Sequence, residues 1–303
     1  VADADSNHSS AIAVYGALAA NLGIAAAKFV AAFFTGSSSM LSEGIHSLVD
    51  TANEGVLVIG VHRSRRGPDD LHQFGHGKEI YFWTLVVAVL LFAIGGGLAI
   101  YEGVTHLFDP HPIEDALTNY VVLGIALVLE TASSVVAIRE LDFPESGGLR
   151  RAVLETKDAS VLAVIVENAA AITGLVIAAL GLLAAQLTGD PRFDAIGSLA
   201  VGVVLVLVAL FLAAESRALL IGESATGPLV DKARKLIEGD ETVSGIESMR
   251  TMHLGPDHLV LTARVRFTAE TADVVAAIVR IKSALRAADS LLDDVTIEPS
   301  PRQ

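Results

Sequence analysis

Between residues 11 and 214 the chain is built from six apolar blocks, each near the roughly 20 residues that an α-helix needs to cross the hydrocarbon core of a bilayer. They run over 11–35, 39–61, 80–105, 119–138, 160–187 and 193–214. Backbone polar groups find no water inside lipid, so blocks of this kind cross as helices. The reading is a polytopic α-helical membrane protein, and the charge content agrees. Only 18% of residues are charged and 52% are hydrophobic, where a soluble domain carries about a quarter charged residues. The absence of cysteine removes disulfides, thiolate ligands and cysteine nucleophiles together. A formal net charge of -14 speaks against a nucleic-acid partner.

Loop charge gives the orientation. Arg63, Arg65, Arg66 and Lys78 follow the second block, Arg139, Arg150, Arg151 and Lys157 the fourth, and Arg217 the sixth, while the other side offers only Arg192. By the positive-inside rule both termini face the cytoplasm, and the expected location is multi-pass in a prokaryotic cell membrane. Residues 1–10 read as a polar N-terminal tail and not as a cleavable signal peptide. Residues 11–220 form the transmembrane domain, and 221–303 change to the texture of a small soluble one. There PLVDKARKLIEG reads as an amphipathic helix, SGIESMRTMHL and HLVLTARVRF as a hairpin, TADVVAAIVRIKSALRAA as a second helix and DDVTIEP as a last strand. The order α-β-β-α-β predicts an α+β ferredoxin-like cytoplasmic domain.

Ionisable groups inside hydrocarbon each cost about 2.5–3.5 kcal/mol on insertion scales and usually line a substrate path. The stretch EGIHSLVD puts Glu43, His46 and Asp50 in the second block, within roughly 60° of one another around a helix. An imidazole with carboxylates suits a divalent cation, but one helix leaves the ligand set incomplete. The fifth block offers Glu167 and Asn168 in IVENAAAITG, adjacent and therefore about 100° apart. The bland alternative has Asn168 bonded to a neighbouring helix and Glu167 paired with Lys28. Glu43 is expected near the membrane edge as a gate. Glu130 in the fourth block either neutralises Lys28, relays protons or joins the path. Asn21, Glu54 and Asp194 read as ordinary helix–helix hydrogen-bonding groups near span ends. A second cluster, Asp69, Asp70, His72 and His76 in PDDLHQFGHGKE, has zinc-ligand chemistry, and a solvated loop explains it equally well. No phosphate loop, GxSxG elbow or HExxH motif is present, which weighs against a P-loop ATP-driven pump and against an enzyme.

SSSMLSEGIHSLVDTANEG, FGHGKEIYFW and the succession of six spans and an α+β domain resemble the cation diffusion facilitators, the zinc-transporter family, over essentially the whole chain. HSLVDTANEG, YEGVTHLFDPHPIED, VENAAAITGLVIA and DAIGSLAVG resemble most the subgroup that includes the mitochondrial zinc transporter nine. The resemblance implies a homodimer that exports Zn2+ from the cytoplasm in exchange for protons by alternating access, with the metal as substrate and no organic cofactor. Transport of Mn2+, Fe2+, Co2+ or Mg2+, or a membrane metal sensor that does not translocate, are the alternatives. It further implies a central site with ligand pairs four residues apart, falling here on His46 and Asp50 and on Val164 and Asn168. Val164 cannot ligate and Asn168 stands in place of an aspartate, so Glu167 is the compensating acid. Asp69, His72 and His76 match an interfacial site of bacterial exporters. The bridging ligands of those exporters fall on Glu247, Ala263, Glu298 and Ser300, so a binuclear zinc site is not expected and dimerisation there rests on packing.

Overall fold

A computed structural model describes residues 21–110, 116–139, 159–268, 273–292 and 294–300. The tail at 1–10, the first part of the first apolar block and the basic residues Arg150, Arg151 and Lys157 lie outside the described residues. Helices occupy all six apolar blocks: α1 (Asn21–Thr35), α2 (Ser38–Ser64), α3 (Glu79–Phe108), α4 (Ala116–Arg139), α5 (Ala159–Thr188) and α6 (Arg192–Ile221). Four of them, α3 to α6, are long and apolar enough to cross a membrane. The described part of α1 is apolar but shorter, and α2, at 27 residues, has the length but carries the polar stripe. The described residues fall into two compact units. The first takes in 21–60, 83–139 and 160–215, and the second 61–82, residue 159 and 216–300.

In the first unit the turn from α1 to α2 is two residues long. Gly36 takes a left-handed φ of 67°, which is strained for any residue with a Cβ, and its N–H bonds Ala32 O at 2.9 Å. This is the αL helix ending, and it folds α2 back along α1. Lys28 and Glu43 stand almost equally far from that turn, so they meet at one level. Ile24, Ala31 and Ala32 of α1 pack with Met40 of α2, Leu123 and Ala126 of α4, and Leu175 and Ala178 of α5. On its other side α2 packs Val49 against Leu91 of α3, Ala170 of α5, and Val201, Leu205 and Ala209 of α6. Where lipid is as apolar as the side chains, helix contact relies on close packing of small residues. At Gly103 a Cβ would fall 2.7 Å from Leu199 Cγ, and at Gly202 2.7 Å from Ile100 Cγ1, so α3 and α6 touch nearly backbone to backbone. Above that contact α3 loosens into a π-helical stretch at Leu91–Gly96, entering the Gly95-Gly96-Gly97 run.

The C-terminal part of the second unit is α7 (Gly227–Glu238), β1 (Val243–Gly255), β2 (His258–Phe267), α8 (Val274–Ala288) and β3 (Asp294–Pro299). The sheet order is β1-β2-β3. β1 and β2 run antiparallel, closing at Gly255 opposite His258, and β2 and β3 run parallel, with Leu261 opposite Val295. Helical spacing aims Ala233 and Ile237 of α7 and Ile281 and Leu285 of α8 at Leu259, Leu261, Val265 and Val295. Each such valine, leucine or isoleucine contributes about 1.5–3 kcal/mol by leaving water. Asp273 starts α8 by accepting from Ala276 N at 2.9 Å, as N-caps do.

Candidate functional site

The central stripe depends on how α2 is held. Asp194, near the start of α6 and 2% exposed, places its carboxylate over the N-terminus of α2. Oδ2 accepts from Ser38 N at 2.7 Å and Ser39 N at 3.2 Å, and the Ser37, Ser38 and Ser39 hydroxyls also donate to the carboxylate. A full negative charge thus meets the free N–H groups and positive end of the helix dipole. One turn further the Ser42 and Ser198 hydroxyls are bonded. Asp194 makes the helix–helix hydrogen bonds expected of it, and through them ties α2 to α6.

Along α2 the stripe is Glu43, His46, Asp50 and Asn53. His46 Nε2 lies 2.9 Å from Asp50 Oδ2, with side-chain exposures of 1% and 16%. His46 Nδ1 and Asp50 Oδ1 are buried without any hydrogen-bond partner, and the His46 Nε2 contact to Asp50 is an ion-pair contact only. Orphaned buried polar atoms cost about 1–3 kcal/mol each, and a cation bound across this pair would satisfy nitrogen and oxygen lone pairs together. From α5, Glu167 is buried and its Oε1 accepts from Asn53 Nδ2 at 2.9 Å. Asn168 turns elsewhere, donating from Nδ2 to Ser133 Oγ on α4 at 3.3 Å. Val164 packs against an apolar cluster that includes Leu162, Ala163 and Leu212.

Asn53 was not singled out from sequence, although its spacing of three from Asp50 and seven from His46 puts it on the same helix face. Glu43 is fully buried within the helical unit. Lys28 pairs with it, Nζ to Oε2 at 3.0 Å, and not with Glu167 or Glu130. Glu130 is half-buried on α4. Glu54 accepts from Asn21 Nδ2 at 2.6 Å, the interhelical bond expected of it.

A second gathering of ligand atoms lies in the second unit. Among the described residues, Asp69, His72 and His76 form the group of imidazoles and carboxylates whose ligand atoms all lie within 4.8 Å of one another. Asp69 Oδ1 stands 3.2 Å from His72 Nδ1 and Oδ2 2.9 Å from His76 Nε2. The geometry is local in origin. Asp69 Oδ1 accepts from Leu71 N at 2.9 Å and His72 N at 2.6 Å, an Asx-type turn that curls the loop round the carboxylate. The bond from His76, then the His72 N–H, hold the Asp69 carboxyl well below the usual carboxylate range. Asp70 is exposed beside it. In β1 to β3, Ser300 Oγ donates to Glu247 Oε2 at 2.8 Å, and Arg264 forks onto Glu298 at 3.1–3.2 Å, so these acids have partners within the sheet.

A family model described as the cation efflux transmembrane domain matches residues 14–221. The human proton-coupled zinc antiporter SLC30A9, mitochondrial, is 37% identical over 246 residues, covering 80% of this chain and 42% of its own length. Metal tolerance protein C4 of Arabidopsis thaliana is 34% identical over 261 residues, covering 85% and 57%. The cation-efflux pump FieF of Shigella flexneri is 28% identical over 240 residues, covering 77% and 73%. The chain thus spans less than half the length of the human relative. The expectation of a prokaryotic cell membrane is overturned: the two relatives above 30% identity named here, one mitochondrial and one from a plant, point to a eukaryotic organellar membrane.

Proposed function

This chain belongs to the cation efflux family, and from that premise we propose that it exports Zn2+ across its membrane in exchange for protons by alternating access. The family is one of transporters and not of enzymes. The observation that carries the reading is the buried His46–Asp50 pair at 2.9 Å with orphaned ligand atoms on both side chains. Metal ligands must be deprotonated to bind, so a dication arriving at His46, Asp50 and Glu167 displaces protons, and its departure lets them return. That competition is the coupling an antiporter needs. Glu167 is the α5 acid of the site, with Asn53 orienting it and Asn168 a half-buried neighbour toward α4. Glu43 lies on the path as a gate, and Glu130 serves as a relay beside it.

The remaining parts of the assembly follow the same reading. All six helices span the membrane, the C-terminal domain is ferredoxin-like, and two copies pair. Asp69, His72 and His76 form a second cation site, favoured by the convergence of their ligand atoms. Replacing all three by Ala is expected to remove one class of bound Zn2+ without removing the central one.

The central reading is tested in proteoliposomes by Zn2+-driven proton flux. His46→Ala and Asp50→Ala are each expected to abolish it. Wild-type flux in both variants refutes the site. A single imidazole among several oxygens also suits harder cations, and competition by Mn2+, Fe2+, Co2+ and Mg2+ identifies the substrate.

A further inference from the structure

Lys28 and Glu43 are both fully buried in the helical unit. Lys28 Nζ donates to Glu43 Oε2 at 3.0 Å and to Ser47 Oγ at 2.8 Å. The other carboxylate oxygen, Glu43 Oε1, is shielded from solvent and has no hydrogen-bond partner. It presses on α5 at Gly174, where an added Cβ would collide with it. The carboxylate of α2 is therefore clasped by α1 on one side and α5 on the other. It lies one helical turn from His46 on the face that carries Asp50. A cation moving along this stripe meets Glu43 next to His46, and finds an ammonium already there.

We propose that Glu43 is a further cation-binding step on the transport path, and that Lys28 is a tethered cation occupying it whenever the metal does not. The proposal rests on reading the stripe as a cation path. Three features of the geometry carry it. A buried carboxylate is tolerated only with a compensating partner, and Lys28 supplies that partner without closing the site, because Oε1 keeps its lone pairs. Lysine is a point charge on a flexible stem and not a rigid fork, so it can withdraw without dismantling a bidentate pair. Ser47, one turn along α2 from Glu43, gives the ammonium a second acceptor to hold when a dication takes the carboxylate. The dication has twice the charge of the ammonium, and this favours the exchange. Return of Lys28 then releases the metal from Glu43 and leaves the empty path electrically neutral at this level.

The test uses the full chain, with Zn2+ alone as the probe, measured by calorimetry in detergent and by uptake in liposomes. Lys28→Met exposes Glu43 to the metal. Zn2+ binding is expected to tighten by about tenfold or more, as befits an uncompensated buried charge, or to gain one ion, while uptake slows. Lys28→Met with Glu43→Gln removes both charges and returns binding to the wild-type value. Lys28→Arg, which keeps the cation but can fork onto both carboxylate oxygens, binds Zn2+ no tighter than wild type and slows uptake. Glu43→Gln alone retains Zn2+ at His46 and Asp50 but slows uptake. Lys28→Met with wild-type affinity and stoichiometry overturns the proposal, as does a gain in affinity that survives the added Glu43→Gln. If Lys28→Met does not fold, Glu43→Gln decides, since a folded variant with wild-type uptake is the contrary result. A wild-type protein that binds Zn2+ but moves none contradicts the transporter reading, and the binding comparison then still decides the role of Lys28.

Discussion

Replacing Asp194 by Ala should loosen α2 from α6 and disable the central site without touching it. The carboxylate receives Ser38 N at 2.7 Å and Ser39 N at 3.2 Å, besides three serine hydroxyls. The hydroxyls can rotate to other acceptors, but the two main-chain donors cannot. Stranding a buried donor costs about 1–3 kcal/mol, so Asp194→Ala is expected to cost about 2–6 kcal/mol, above the typical ~1 kcal/mol of losing an exposed N-cap. Asp194→Asn keeps one carbonyl oxygen and loses the charge, and belongs between the two. Ser39→Ala removes one donor and leaves the backbone bonds, for about 1 kcal/mol. The assay is unfolding of the purified protein in mixed micelles as denaturing detergent is raised, with Zn2+ uptake on the same samples. The expected order of stability is wild type, Ser39→Ala, Asp194→Asn, Asp194→Ala. An Asp194→Ala variant as stable as wild type, or a Ser39→Ala variant as damaged as Asp194→Ala, refutes the carboxylate as the clamp.

Gly174→Ala should destabilise by about 1–3 kcal/mol, the usual range for overpacking, because its Cβ meets Glu43 Oε1. Gly124→Ala, with nothing within 4 Å of the added carbon, should be neutral or stabilising in the same thermal melts, and equal melts of the two contradict the close approach. In the C-terminal domain Arg280 forks onto Asp240 at 2.8 Å through two nitrogens, and that bond holds the Asp240 carboxyl well below the usual carboxylate range. A carboxyl depressed in the folded state contributes stability that is complete above its unfolded value of about 3.9 and is lost as pH falls through the folded one. Arg280→Ala should therefore remove part of the acid-side fall in the melting temperature below about pH 4, and an unchanged acid limb contradicts the pair.

The helices and the C-terminal sheet domain were legible because their signals are periodic and local. Blocks near 20 residues announce long apolar helices, and the apolar spacing of Ala233 and Ile237 or Ile281 and Leu285 announces buried faces. The site was legible only along one helix. His46, Asp50 and Glu43 share a face by arithmetic alone, whereas whether Glu167 or Asn168 faces them depends on the rotation of α5, which packing sets. Lys28 could have been matched to Glu43 by counting outward from Gly36, since a tight turn between antiparallel helices levels residues equidistant from it. For Asp194 the sequence suggests a helix–helix bond but not its partner, because Ser38 and Ser39 stand more than 150 residues away and no turn links the two. The π-helical stretch at Leu91–Gly96 was equally hidden, because a glycine run signals only looseness.

Binding of a divalent cation inside the helical unit, between α2 and α5, is read out by anomalous scattering from zinc in crystals of the metal-loaded protein. A peak is expected within about 2.0–2.2 Å of a His46 nitrogen and of Asp50 and Glu167 carboxylate oxygens, the distances zinc adopts with such ligands. Zinc found at Asp69, His72 and His76 with no peak beside His46 would contradict binding there.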